Sequence, residues 1–263
     1  MGATPPRPPR RQAHPAGAGA AGAGPRHGLA RVLSKAGLCS RTEAAQWIRA
    51  GRVRVDGRIV RDPEHPLRDG MRGVQVEGLE QAPPPRRYVM LNKPRGLVTT
   101  ARDEQGRDTV YRCFDGAGLP WLAPVGRLDK ASEGLLLFSN DPGWAARVLD
   151  PGSGPGKTYH VQVDRVPDAA LLAALAAGAV VDGERLGARS VALLRAGGRN
   201  AWLEIVLDEG RNRQIRRLLA AFDLGVLRLV RVAIGPLRLG ALGKGQWREL
   251  DPAERDALAP ASG

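Results

Sequence analysis

In the run Gly126-Arg127-Leu128-Asp129-Lys130-Ala131-Ser132-Glu133-Gly134 one carboxylate, Asp129, stands two residues from a guanidinium, Arg127, between bounding glycines. A carboxylate kept charged by a nearby cation is suited to act as an anionic nucleophile. The apolar block that follows, Leu135-Leu136-Leu137-Phe138, is too short for a helix and reads as a buried strand. Asp141 and Pro142 then supply an N-cap and a first-turn proline for a helix. Asp129 therefore belongs to a polar loop at a strand mouth, where functional side chains are often carried on a rigid scaffold. Spacing alone leaves the ordinary alternative open, because Asp in a Gly-bounded turn is more often a surface turn former.

The elements that must position this loop can be read on either side of it. Tyr88-Val89-Met90-Leu91 predicts a strand, followed by a turn at Asn92-Lys93-Pro94-Arg95-Gly96. Lys157-Thr158-Tyr159-His160-Val161-Gln162-Val163 alternates with strand period, placing Tyr159 on one face with Val161 and Val163, as an ordinary core aromatic would be. Residues 169–176 predict a helix, and Trp202-Leu203-Glu204-Ile205-Val206-Leu207 another alternating strand that delivers the chain to Gly210. From Ile215 the apolar positions Ile215, Leu218, Leu219 and Phe222 keep helical spacing. Arg213, Arg216 and Arg217 then lie on or beside the opposite face, a basic helix start suited to an anion or, equally, a solvated face. Residues 101–120 read as a polar, Gly-rich loop in which Asp103, Gly106 and Arg107 are open to RNA.

The 263 residues, 43% hydrophobic, suffice for one large domain or two unequal ones, and a net charge of +13 points to a polyanionic partner, nucleic acid first. Cys39 and Cys113 give no disulfide framework, though one bridge stays open, and fit a reducing compartment. His14, His27, His65 and His160 have no partners at metal-ligand spacing, so no metal is expected. The longest apolar run, 169–181, is Ala-rich and broken by Gly178, so no membrane span is expected and a cytoplasmic protein is.

Residues 1–27, rich in Pro, Ala and Gly with four arginines and no acid, predict a disordered basic arm. Between 28 and 79 a compact module is expected: a first helix through Leu29, Val32, Leu33 and Ala36 stopping at Gly37, and a second opened by the capping box Ser40-Arg41-Thr42-Glu43. A basic hairpin turning at Asp56-Gly57 follows. Pro83-Pro84-Pro85 marks a linker over 80–87.

Four blocks in order resemble the RsuA/RluB/RluE/RluF group of pseudouridine synthases: Leu91-Asn92-Lys93-Pro94-Arg95-Gly96, GRLDKASEGLLLFSND from Gly126, Lys157-Thr158-Tyr159, and Gly210-Arg211-Asn212-Arg213-Gln214-Ile215-Arg216-Arg217. Helix, helix and basic hairpin before them resemble the alpha-L RNA-binding domain. The resemblance implies an α/β (α+β) fold with a mainly antiparallel mixed sheet and a central cleft over 88–250, the alpha-L domain over 28–79, and a tail over 251–263. It implies isomerisation of a uridine to pseudouridine in ribosomal RNA, the large subunit preferred and transfer RNA the other candidate, without a cofactor; nothing in the sequence demands more than a monomer. Asp129 is then the nucleophile, Arg216 its ion-pair partner, Tyr159 the ring against the base and Ile215 part of the pocket wall. Arg127 shapes the loop, and Asn92 and Lys93 support it. Arg31, Lys35, Arg41, Arg49, Arg52, Arg54, Arg58, Arg213 and Arg217 are phosphate contacts. Ala131 departs from the larger or polar residue usual in the group. Two other classes stand beside this one, an RNA-binding assembly protein without activity and a glycosidic-bond hydrolase with Glu133 as acid to Asp129.

Overall fold

The computed structural model describes residues 27–67, 70–79, 84–101 and 103–259; the expected basic arm, except for His27, lies outside them. The N-terminal part forms from local signals. Helix Leu29–Lys35 buries Leu29, Ala30, Val32 and Leu33, and the chain turns at Gly37, whose φ of 76° suits glycine. In helix Arg41–Arg49 the Ser40 side chain accepts from the Glu43 amide at 3.1 Å, as its capping sequence predicts. The hairpin strands Val53–Val55 and Arg58–Ile59 turn through Asp56 and Gly57, both at positive φ, which is what a two-residue turn of this hand demands. Strand Val74–Val76 joins them as the third strand.

The remainder is built on a nine-stranded sheet. Its main path runs Ser190–Ala196, Ala201–Leu207, Lys157–Val163, Val226–Ile234, Glu133–Ser139, Tyr88–Lys93, Trp247–Glu249. Every pairing is antiparallel except that of Val226–Ile234 with Glu133–Ser139, which consists of only two partner pairs, Val230 with Glu133 and Arg231 with Gly134. The sheet is thus nearly split at its centre. Gly134 is required there: its φ is +100°, and a Cβ would collide with the Arg231 backbone carbonyl. Glu133–Ser139 is buried along its whole length, the reason its apolar block shows no alternation, whereas Lys157–Val163 and Ala201–Leu207 bury alternate residues. Two cores result. One, around Val161, Leu203, Ile205 and Leu218, underlies the cleft; the other packs Trp144, Leu135, Leu137 and Leu258 behind the sheet.

Three expectations change. The Tyr88 strand continues through Asn92 and Lys93 instead of turning there, because both pair with the Glu133–Ser139 strand. Residues 101–120 hold a 3-10 helix, Val110–Phe114, anchored by rings: Tyr111 stacks on Trp121 with centroids 5.0 Å apart and Phe114 meets Phe138 edge-on at 4.8 Å. Arg107 is ion-paired to Asp103 at 2.6 Å. The tail is folded as far as helix Pro252–Leu258, which a capping box of Asp251 and Glu254 opens and which buries Leu258, while Trp144 Nε1 donates to the Arg255 carbonyl at 3.1 Å. Both cysteines are free, and among the described residues no helix is long and apolar enough to cross a membrane.

Candidate active site

At the split in the sheet lies an open cavity of about 700 Å³ whose walls include Asp129, Tyr159, Ile215, Arg216 and Arg231. The loop that carries Asp129 has no secondary structure of its own, yet its backbone is held carbonyl by carbonyl. The Thr99 hydroxyl donates to Leu128 O at 2.7 Å, the Gly96 amide to Lys130 O at 2.8 Å and Arg216 Nη2 to Ala131 O at 3.4 Å. Lys93, fully buried, donates from Nζ to Asp129 O at 3.2 Å, Ser132 O at 2.9 Å and Pro94 O at 3.1 Å. Its charge is spread over three carbonyl dipoles instead of a carboxylate. Burial holds the Lys93 amine down at about 8, against the opposing pull of Asp129, Cys113 and Glu133. Asn92, also buried, donates to Leu242 O at 2.7 Å and fixes the strand end that carries Lys93. The segment from Asn92 to Thr99 is therefore the mould of the loop.

The Asp129 carboxylate, about 38% exposed, meets Arg213 Nη1 at 3.5 Å. This corrects the expected pairing with Arg216. Arg216 sits close enough for Asp129 to act on it electrostatically, but its guanidinium is turned to the loop backbone and its Nε is buried without a partner. Burial, then Arg213, pulls its pKa down. Arg213 reaches Asp129 because it precedes helix Gln214–Ala220 in a left-handed conformation, φ 48° and ψ 31°. That conformation costs a non-glycine residue roughly 1–2 kcal/mol. Arg213→Gly is expected to stabilise the fold by about 1 kcal/mol, raising Tm by a few degrees, while lowering turnover. Thermal melts paired with single-turnover rates check both signs.

Tyr159 is 8% exposed and stands where the alternation puts it, with Val161 and Val163, at the end of that row that opens on the cavity. Ile215, 4% exposed, forms wall as expected, and Arg127 is exposed at the rim. Arg217 is placed differently from its expected phosphate role: it donates to Glu184 at 2.6 Å and to Val181 O at 3.2 Å, pinning helix Gln214–Ala220 to the hairpin formed by strands Ala179–Val181 and Glu184–Leu186. In the N-terminal module Arg31, Lys35, Arg41, Arg49, Arg52, Arg54 and Arg58 are all exposed. Arg52 lies over the Trp47 ring, and Arg41 pairs loosely with Glu64 at 3.4 Å. The sequence reading missed Arg231, Lys157 and Thr99 as cavity residues. Alternation along Lys157–Val163 could have found Lys157, two residues from Tyr159 on the same strand, whereas Arg231 and Thr99 enter the wall from a neighbouring strand and a loop.

Glu133 is no acid. Its side chain is 4% exposed and is held by Arg228 at 2.7 and 2.9 Å and by Lys244 at 2.8 Å. The Arg228 hydrogen bonds, more than offsetting burial, pull its pKa down to about 2. It is ionised at neutral pH and cannot protonate a leaving group, which removes the hydrolase with Glu133 as acid. A depressed folded pKa contributes stability that is complete above the unfolded value of 4.5 and lost as pH falls towards 2. Glu133→Gln should be less stable than the parent at pH 7, with the gap narrowing through pH 4 to 2.5 in chemical denaturation.

One accessible carboxylate on a moulded loop, an aromatic side chain and cations around an open cavity, and a separate basic module are the features of an RNA-binding enzyme. A model of RNA pseudouridylate synthase matches residues 87–221, and one of the S4 domain matches residues 28–72. The chain belongs to the RNA pseudouridine synthase family. It is 38% identical to the ribosomal small subunit pseudouridine synthase A of Pseudomonas aeruginosa, over 86% of this chain and 97% of that one. With the ribosomal large subunit pseudouridine synthase B of Shigella flexneri it shares 36%, over 88% and 81%. A crystal structure of a pseudouridylate synthase superposes with a TM-score of 0.61 at 28% identity, covering 89% of this chain and 99% of the other.

Proposed function

We propose that the protein converts one uridine of ribosomal RNA to pseudouridine, with Asp129 as the nucleophile and the large subunit as the first place to look. The observation that carries this reading is the Asp129 loop itself, whose five consecutive carbonyls from Leu128 to Ser132 are each tied down while its carboxylate stays open to the cavity. Such fixing of backbone around one exposed side chain serves orientation of a reacting group. The uridine leaves its stack, its base lies against Tyr159 and Ile215, and Asp129 acts at C1′ or as a base at the ribose. The N1–C1′ bond breaks, the base turns within the cavity, and C5 bonds to C1′. Arg213 keeps Asp129 ionised and aimed, and Arg216 holds the loop. The exposed arginines of the S4 module and Arg127 carry the flanking phosphates. The protein acts as a monomer in the cytoplasm.

The test maps pseudouridine across small- and large-subunit rRNA and tRNA, by carbodiimide labelling and reverse transcription, in cells with and without the gene. Loss of one rRNA site, restored by the intact gene, is the expected result. A lost tRNA site would move the substrate. If no site is lost and the purified protein modifies no rRNA, an RNA-binding role without chemistry replaces this reading.

A further inference from the structure

Arg231 is 6% exposed, lines the cavity, and pairs in register with Tyr159 on the adjacent antiparallel strand, so the two side chains stand on one face. Its Nε donates to Leu135 O at 2.7 Å, just past the last partner of the short parallel ladder, where Leu135 has no strand neighbour on that side. That bond accounts for one edge of the guanidinium only. Nη2 is buried with no hydrogen-bond partner and is shut off from the cavity, and Nη1, which is not closed off in this way and makes no hydrogen bond among the described residues, is the edge left to meet a ligand. Beside it Lys157, also in the cavity wall, has its pKa lowered by burial and then by Arg231, and its Nζ finds only the Asp208 carbonyl at 3.5 Å. Neither cation is ion-paired to a carboxylate among the described residues. Two desolvated cations side by side without a counter-ion are costly unless the bound state supplies negative charge.

Building on the function proposed above, we infer that Arg231 is a catalytic residue that donates to a carbonyl oxygen of the target uracil and stabilises the base as it leaves as an anion. When N1–C1′ breaks, the electron pair stays on the base, and the uracilate spreads its charge over N1, O2 and O4. A fixed, buried N–H cation beside Tyr159 meets charge that develops only then, where electrostatic stabilisation has most effect on rate. After the base turns, C5 bonds to C1′, and the proton lost from C5 is matched by one gained at N1. A phosphodiester is the weaker match, since it is charged from the outset and follows the exposed strand, where Arg127 and Arg213 stand at the rim.

The probes are uracil, neutral at pH 7, and 5-nitrouracil, of similar shape but ionised at that pH, titrated into the full chain with inorganic phosphate as a third ligand. The intact protein should bind 5-nitrouracil at least roughly tenfold more tightly than uracil, the increment of a charge-assisted hydrogen bond. Arg231→Gln should bring the ratio near one with uracil affinity little changed, and should lower the single-turnover rate on rRNA without weakening rRNA binding. Arg231→Lys, which keeps the charge, should retain part of the preference. No preference in the intact protein, or one that survives Arg231→Gln, overturns the inference. So does phosphate displacing 5-nitrouracil from the intact protein and losing its own binding in Arg231→Gln, which would mark a phosphate subsite. Because the intact protein's activity on rRNA is measured alongside, an inactive parent counts against the proposed function, and an active parent without the preference counts against Arg231 alone.

Discussion

Asp129→Asn is expected to lower the single-turnover rate of pseudouridine formation by at least about 10⁴-fold, the scale of loss when a nucleophile is removed from a site whose binding groups remain. The amide has nearly the shape of the carboxylate, and the contacts that hold the loop run through backbone oxygens, including Asp129 O, so the substitution leaves them in place. The one ion pair it breaks is long, 3.5 Å, between groups 52% and 38% exposed, and such pairs contribute only about 0–1 kcal/mol. Tm should therefore shift by no more than a few degrees. RNA affinity should hold or rise slightly, since a negative charge is removed from a basic cavity. A rate above about 1% of the parent would exclude Asp129 as nucleophile, and a large fall in Tm would show that the loop depends on the carboxylate after all.

Lys93→Met should lower the rate by about 100-fold with rRNA affinity nearly unchanged, although Lys93 Nζ is bonded only to backbone. The side chain is similar in length, but the Asp129, Ser132 and Pro94 carbonyls lose their donor and the loop its fixed geometry, and a displacement near 1 Å at a reacting group costs on that order. The pH dependence separates this from general damage. With its amine held down at about 8, Lys93 loses a proton and a donor as pH rises past that value, so the parent's rate should decline there; the Met variant should lack that limb. Burial pushes the Cys113 thiol, the neighbouring group that titrates on this side, upward and away from the window. Stability runs the other way. Between pH 8 and the unfolded value of 10.5 the unfolded chain binds the proton that the folded chain has lost, so Lys93's contribution to stability rises with pH across this window. A rate that falls while Lys93's share of stability rises is the signature, read from kinetics and denaturant midpoints of parent and variant over pH 7 to 10.

Much of this was legible in the chain because it is local. The capping of helix Arg41–Arg49, the Asp56-Gly57 hairpin, the alternation of Lys157–Val163 and the helical spacing from Ile215 depend on neighbours within a few residues. So does the identity of the Asp129 loop, whose glycines and following apolar block are contiguous. The helix in the tail was not read from the sequence although its capping box was written at Asp251 and Glu254, because what keeps helix Pro252–Leu258 in place is a core more than a hundred residues away, at Trp144. Over 101–120 the sequence was uninformative beyond the loop at Asp103, Gly106 and Arg107: the short 3-10 helix that follows has no period to detect and is fixed by Trp121 and Phe138.

The sequence by itself marked Asp129, Tyr159 and the basic run from Arg211 to Arg217 as the candidates for the chemistry, by residue type and by the order of the blocks that contain them. Only the tertiary structure decided how they are used. Arg213 and not Arg216 reaches Asp129, because one residue before the helix adopts a left-handed conformation and swings its side chain across. Glu133 is barred from acid chemistry by Arg228 and Lys244, each about a hundred residues away in the chain. Arg231 joins the cavity because the sheet is stitched at its centre by only two pairs, leaving a gap that a guanidinium fills. Ion pairs and cavity walls are set by which strands lie side by side, and that is a property of the whole sheet that no window of sequence contains.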